Sequence, residues 1–233
     1  NNAHINLFSL AGAPAFPVDG TINSINIGKG ANSVAGNTVL GESALDAAVT
    51  GENNIAIGKN ALSANTSGSQ NVAVGSECLD VNTTGSTNTG IGRSALGGNT
   101  TGSANTALGR SALTSNTTAD NNTAVGHNSL ASNTTGTGNT AVGSTALDAN
   151  TTGGENTAVG LTCLSGNTTG GANTAVGRTC MFSNTTGDNN TAIGRQALGD
   201  NTTADNNTAV GYHALLTNTT GADNTAVGAN ALD

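Results

Sequence analysis

Two columns of residues in this 233-residue chain are of types that could do chemistry. In the first, Lys59, Arg93, Arg110, His127, Arg178 and Arg195 fall at multiples of 17 residues and include five of the six Lys and Arg. A cationic stripe of this kind would bind anionic glycans, or would pair across chains with carboxylates such as Asp46, Asp80 and Asp148. The second column is a run of N-T-T or N-T-S strings, each an N-glycosylation acceptor sequence. It places candidate glycan sites at Asn65, Asn82, Asn99, Asn116, Asn133, Asn150, Asn167, Asn184, Asn201 and Asn218, and N-N-T strings add Asn121, Asn189 and Asn206. The alternative is structural: corner Asn and Thr side chains that form a ladder and happen to match a short motif. Regular Thr columns would also suit an ice-binding face, because stacked hydroxyls recur at a fixed interval.

Catalytic constellations are missing from the string. His4, His127 and His213 lie in different repeats, no carboxylate pair recurs in a fixed slot, and the Gly spacing follows one structural period instead of a phosphate loop. Calcium-binding repeats need an Asp in every turn, whereas the acidic positions here wander. Three cysteines without metal-ligand spacing indicate neither a disulfide framework nor a zinc site. The reading is therefore a non-enzyme without cofactor or metal. A net charge of -8 opposes nucleic acid, and no apolar run approaches the roughly 18 residues that cross a membrane. Aromatic residues make up 2% of the chain and charged residues 9%, too few to fill or clothe a conventional globular domain.

What must position these columns is a repeat. The Gly of N-T-A-V-G falls at 41, 58, 75, 92, 109, 126, 143, 160, 177, 194, 211 and 228, a 17-residue step without insertion or deletion. One unit reads N-T-A-V-G-x-x-A-L-x-x-N-T-T-G-x-x, giving eleven full units and a partial twelfth from Asn224. Seventeen residues are too few for paired helices, and Gly, Asn and Thr disfavour helix interiors. T-A-V suits a short strand with Thr and Val on one face and Ala on the other. Glycines at the ends of the outer segment supply positive-φ corners. The fold class that follows is all-β, a parallel β-roll or β-solenoid of 17-residue coils stacked about 4.8 Å apart.

Comparison among the units identifies slots. Asn precedes every strand from Asn37 to Asn224, which predicts an amide ladder or bonds to corner backbone. The Val slot takes Val, Ile or Leu and the Leu slot departs once, to Met181, so both read as core. The Ala slot before Leu also accepts Ser129, Cys78, Cys163 and Cys180, which makes each cysteine a small buried side chain; Cys163 and Cys180, one coil apart, are the pair placed to bridge the stack. With so thin a core, association of several chains is expected, through the smooth Ala face of the strand.

The repeat string, preceded by I-N-I-G-K-G-A-N-S-V-A-G-N-T-V-L-G, resembles repeat regions of bacteriophage tail-fibre and related surface proteins. It is also similar to the head repeats of trimeric autotransporter adhesins, where an N-S-V-A-I-G strand builds a parallel β-roll. The resemblance runs from Thr21 onward and departs in its longer 17-residue step. It implies a homotrimeric structural fibre, a shaft or adhesive stalk, outside the cell or on a virion tail; a cell-surface glycan is the outside partner that the cationic stripe or the Thr-rich face would take.

Residues 1–36 break the period and hold both prolines, which reads as a cap or docking segment with an atypical first coil; residues 37–233 form the repeat domain. Ile5, Leu7, Phe8 and Leu10 could cover the first coil, and the T-I-N-S-I-N-I-G string to Gly28 reads as a shortened coil. Asn1 in place of Met is compatible with a cleaved export signal. At Asp233 the sequence stops just after a Leu slot, so either more sequence follows or the Ile5–Leu10 segment of the next molecule docks there, making a head-to-tail filament.

Overall fold

A computed structural model describes residues 20–22 and 25–233. It is a β-solenoid with one sheet of 14 strands in sequence order. The first two strands, β1 (Gly20–Ile22) and β2 (Ile25–Gly28), form an antiparallel hairpin, and β2 continues antiparallel onto β3 (Thr38–Gly41). From β3 onward every strand is three or four residues of one coil, through β4 (Ile55–Ile57) and β10 (Thr157–Val159) to β14 (Thr225–Val227). Each pairs in parallel and in register with the equivalent strand 17 residues away, as Thr157 with Thr174 and Ala158 with Ala175. The segment before Gly28 is thus no shortened coil. Its strand β2 occupies the open edge of β3, the place foreseen for Ile5–Leu10; Ile5, Leu7, Phe8 and Leu10 themselves lie outside the described residues.

The strand is oriented opposite to the sequence reading. Ala56, Ala73, Ala107, Ala124 and their equivalents are fully buried, whereas the Val slot is outside: Leu108 is 46% exposed, Ile193 43% and Val142 36%. The core is two columns that face each other across the coil, the strand Ala and the Ala-Leu pair, so Leu79, Leu96 and Leu113 are fully buried. Beyond the first coil, where Val39 fills the slot, a Leu on one wall leaves room for no more than a methyl on the other. The Ala face is therefore interior and cannot be the surface through which chains associate.

Corners follow the same repetition. The Gly ending each strand has φ between 129° and 142° from Gly58 to Gly228, in the region that favours glycine. The N-T-T-G glycine is not such a corner, since Gly68 and Gly85 carry no positive φ. The remaining reversals use ordinary residues, including the Leu column itself, with φ 52° at Leu79 and 53° at Leu96. A left-handed Leu costs roughly 1–2 kcal/mol. It is held there because its amide joins adjacent coils, Leu79 N donating to Ala95 O at 3.1 Å, while its side chain fills the core.

Gly143 has φ 142°, and a Cβ there would fall on the carbonyl oxygen of Gly160. Gly143→Ala should cost about 2–4 kcal/mol in a thermal melt followed by circular dichroism. Gly138, at φ 70° with no atom nearer than 3.7 Å to an added Cβ, shares a column with Asn121 at 61°. Gly138→Asn should stay within about 0.5 kcal/mol of the wild type. Equal melting of the two variants would contradict this account of the corners.

Candidate interaction face

The polar side chains buried in the stack are, Ser129 apart, all asparagines. Two asparagine columns run along the coil interior, one before each strand and one in N-T-T, and from Asn54 to Asn207 both are fully buried. Asn71 illustrates the first: its backbone N donates to Asn54 Oδ1 at 2.9 Å, and its Nδ2 donates to Gly85 O at 2.9 Å and to Asn54 Oδ1 at 3.2 Å. In the second, Asn82 Nδ2 donates to Asn65 Oδ1 at 2.8 Å and to the same Gly85 O at 3.0 Å. One glycine carbonyl thus accepts from both ladders. Thr83 extends the pattern outside, its hydroxyl donating to Thr100 O at 3.0 Å.

This placement corrects the glycan column. The nine N-T-T asparagines from Asn65 to Asn201 have no exposed surface, and each Nδ2, the atom a glycan would occupy, already donates hydrogen bonds within the stack. They are ladder rungs. Asn218 keeps partial exposure, and the N-N-T residues Asn121, Asn189 and Asn206 are exposed. Among the described residues, the buried side-chain atoms left without a partner are Asn201 Oδ1 and Asn207 Nδ2, both near the last coil.

The cysteines are free thiols, buried in the Ala slot. Desolvation pushes Cys78 up to about 12. Cys180 is raised by its hydrogen bond with Cys163 and by burial, and its Sγ also donates to Ala192 O at 3.2 Å. Such thiols carry almost no thiolate at neutral pH and are poor nucleophiles. Among the described residues no group of three or more His, Cys, Asp or Glu is placed to hold a metal, and no helix is long and apolar enough to cross a membrane.

No known protein family, curated protein or solved structure matches the chain.

What remains on the outside is a face and its two edges. The face is the outer side of strands β3–β14, where the first position is an unbroken Thr column from Thr89 to Thr225 and the third is Val, Ile or Leu throughout. No charged residue interrupts it. Along the edge just after the strands run Lys59, Arg93, Arg110, His127, Arg178 and Arg195, all exposed. Along the edge just before them run Glu52, Asp120, Glu155, Asp188, Asp205 and Asp223, also exposed. The basic column is evident in the sequence, whereas the acidic positions do not repeat from coil to coil. They wander among coils, but six of the 14 acids share two adjacent slots of the coil, which ordering by slot would have shown.

The edges are separated by the strand and do not neutralise each other within the chain. Among the described residues the ion pairs are Lys59 with Glu42 at 3.1 Å and Arg93 with Glu77 at 3.7 Å, both on the basic side. Arg195 lies over the Tyr212 ring at 5.7 Å from its centroid, and Tyr212 stacks on His213. On the acidic edge the carboxylates also tie coils together: Asp188 Oδ1 accepts the Gly171 N–H at 2.6 Å and Asp120 Oδ1 that of Ser103 at 2.6 Å. Asp46, Asp80 and Asp148, foreseen as partners of the basic column, occupy the slot after Leu and pair with none of it.

Two measurements follow. Native protein at pH 8 should leave Cys78, Cys163 and Cys180 unlabelled by a thiol reagent, with three equivalents appearing only in denaturant; prompt native labelling would contradict their burial. Asp148 is raised from its usual value chiefly by desolvation, so its charged form disfavours the folded state. Its contribution improves as the pH falls through the raised folded value towards the unfolded value near 3.8. Asp148→Asn should therefore melt above the wild type at pH 7, and the gap should close near pH 3.

Proposed function

We propose that the chain is a non-enzymatic structural rod, a shaft segment of a fibre displayed on the outside of a cell or a virion. The observation that carries this reading is the double asparagine ladder. It commits the interior amides of coil after coil to closing each coil and joining it to the next, and among the described residues it gathers no reactive cluster. Twelve strands at about 4.8 Å give a repeat region roughly 58 Å long with a constant cross-section. Such an object holds things at a distance. The tail-fibre and adhesin resemblance of the repeat string points the same way, and it supports a self-associated rod.

Immunogold labelling of the source material with an antibody to the repeat region is the test. Label along extracellular or virion-borne filaments is the expected result, and label confined to the cell interior would overturn the proposal. Small-angle scattering of the purified chain should independently return a rod cross-section and not a compact sphere.

A further inference from the structure

We propose that the occupant of the T-x-V face is a second copy of this chain, lying parallel to the first, with the basic edge of each copy against the acidic edge of the other. This rests on the rod reading above and names the partner of its exposed face.

The argument begins with area. The outer face of β3–β14 measures about 58 Å by about 10 Å, or about 580 Å² on each copy. Two such faces bury close to the roughly 1,200 Å² at which specific interfaces begin, before the edges add their share. The composition fits the centre of an interface, uncharged Thr with Val, Ile and Leu, within a border of charge.

The borders then select the orientation. When two rods face each other about an axis parallel to their length, the strands run in opposite senses across the interface. The edge after the strand in one copy meets the edge before the strand in the other, so basic faces acidic. When the rods face each other antiparallel, the axis runs along the strands, and like edges meet. Like charges brought together at an interface cost several kcal/mol, so antiparallel packing is disfavoured. The same rule holds in any ring of parallel rods, because each basic edge meets the next acidic edge.

Register supplies the third step. Lys59 follows, and Glu52 precedes, the same strand, Ile55–Ile57. His127 and Asp120 flank Thr123–Val125 in the same way, and Arg195 and Asp188 flank Thr191–Ile193. In an unstaggered parallel pair these partners therefore lie at one level along the rod. Arg110 and Arg178 lie one coil from Asp120 and Asp188, about 4.8 Å, within reach of an Arg side chain. Lys59 and Arg93 have carboxylate partners within the copy, but among the described residues Arg110, Arg178 and Arg195 have none there, and the acidic groups at or one coil from their level lie on the opposite edge, where only a second copy brings them together. The net charge of -8 repels at long range, but the matched edges act inside the screening length of about 8–10 Å.

The experiment is edge reversal, read by light scattering behind size exclusion and by sedimentation. The wild type should associate, and association should weaken as salt is raised. Arg110→Glu with Arg178→Glu and Arg195→Glu makes both edges acidic and should weaken association about a hundredfold or more. Reversing Asp120, Glu155 and Asp188 to Lys should do the same, and both reversals in one chain should restore association. All reversed residues are exposed; because Asp120→Lys and Asp188→Lys also remove coil-to-coil bonds, the control is a circular dichroism spectrum that stays native at the working temperature, which separates loss of pairing from loss of fold. Spin labels at Thr225→Cys should give a short distance between copies, whereas antiparallel rods would place the labels at opposite ends. A monomeric wild type, no rescue by double reversal, or antiparallel labels would each overturn the inference. A monomeric rod would do so without touching the structural reading, while a compact particle in scattering would remove both.

Discussion

Every other feature of the molecule depends on the interior amide ladder. An asparagine side chain buried without partners would destabilise the fold by several kcal/mol, and here two of them enter each coil. They are tolerated only because the coil above and the coil below each present the complementary atom at the same place. Asn71 reaches back to Asn54 and forward to Gly85, and Asn82 reaches the same carbonyl from the other side. A single inserted residue would put the amides on either side of it out of step. The absence of any insertion between Gly41 and Gly228 is thus a condition of the ladder and not an accident of duplication.

The ladder also explains which parts of the structure were legible. Period, strand position, buried Leu column, buried cysteines and axial amide bonding all follow from comparing repeats, because each is a property of a slot. The inside and outside of the strand were read the wrong way round. Val is more apolar than Ala, so hydrophobicity alone assigns Val to the core; the width of the coil, set by the Leu on the far wall, decides otherwise. A quieter signal was present. The middle strand slot holds Ala almost throughout, with Gly90 and Val39 as its departures, while the slots on either side exchange Thr with Ile or Val and Val with Leu. Restriction of size, more than greasiness, marked the tight wall.

The N-T-T sequons from Asn65 to Asn201 failed for a related reason. N-T-T matches an acceptor motif, but the motif carries no information about which way an amide points. The same Asn-Thr pair serves an inward ladder through Asn and an outward coil-to-coil bond through the Thr hydroxyl. The charged edges lie at the other extreme: their residues were visible, but a one-dimensional reading sorted them by coil. Sorting by slot places the acidic residues beside one another across coils that lie far apart in sequence.

Interchangeable coils give the rod an unusual kind of size. One 17-residue unit adds about 4.8 Å of length and leaves the cross-section and the sequence of slots as they were. Length therefore comes in whole steps, like the marks on a ruler. Gain or loss of a unit by unequal recombination within so repetitive a coding region would change the reach of the molecule without changing its surface character. In such an architecture, reach can evolve separately from the faces that meet the outside.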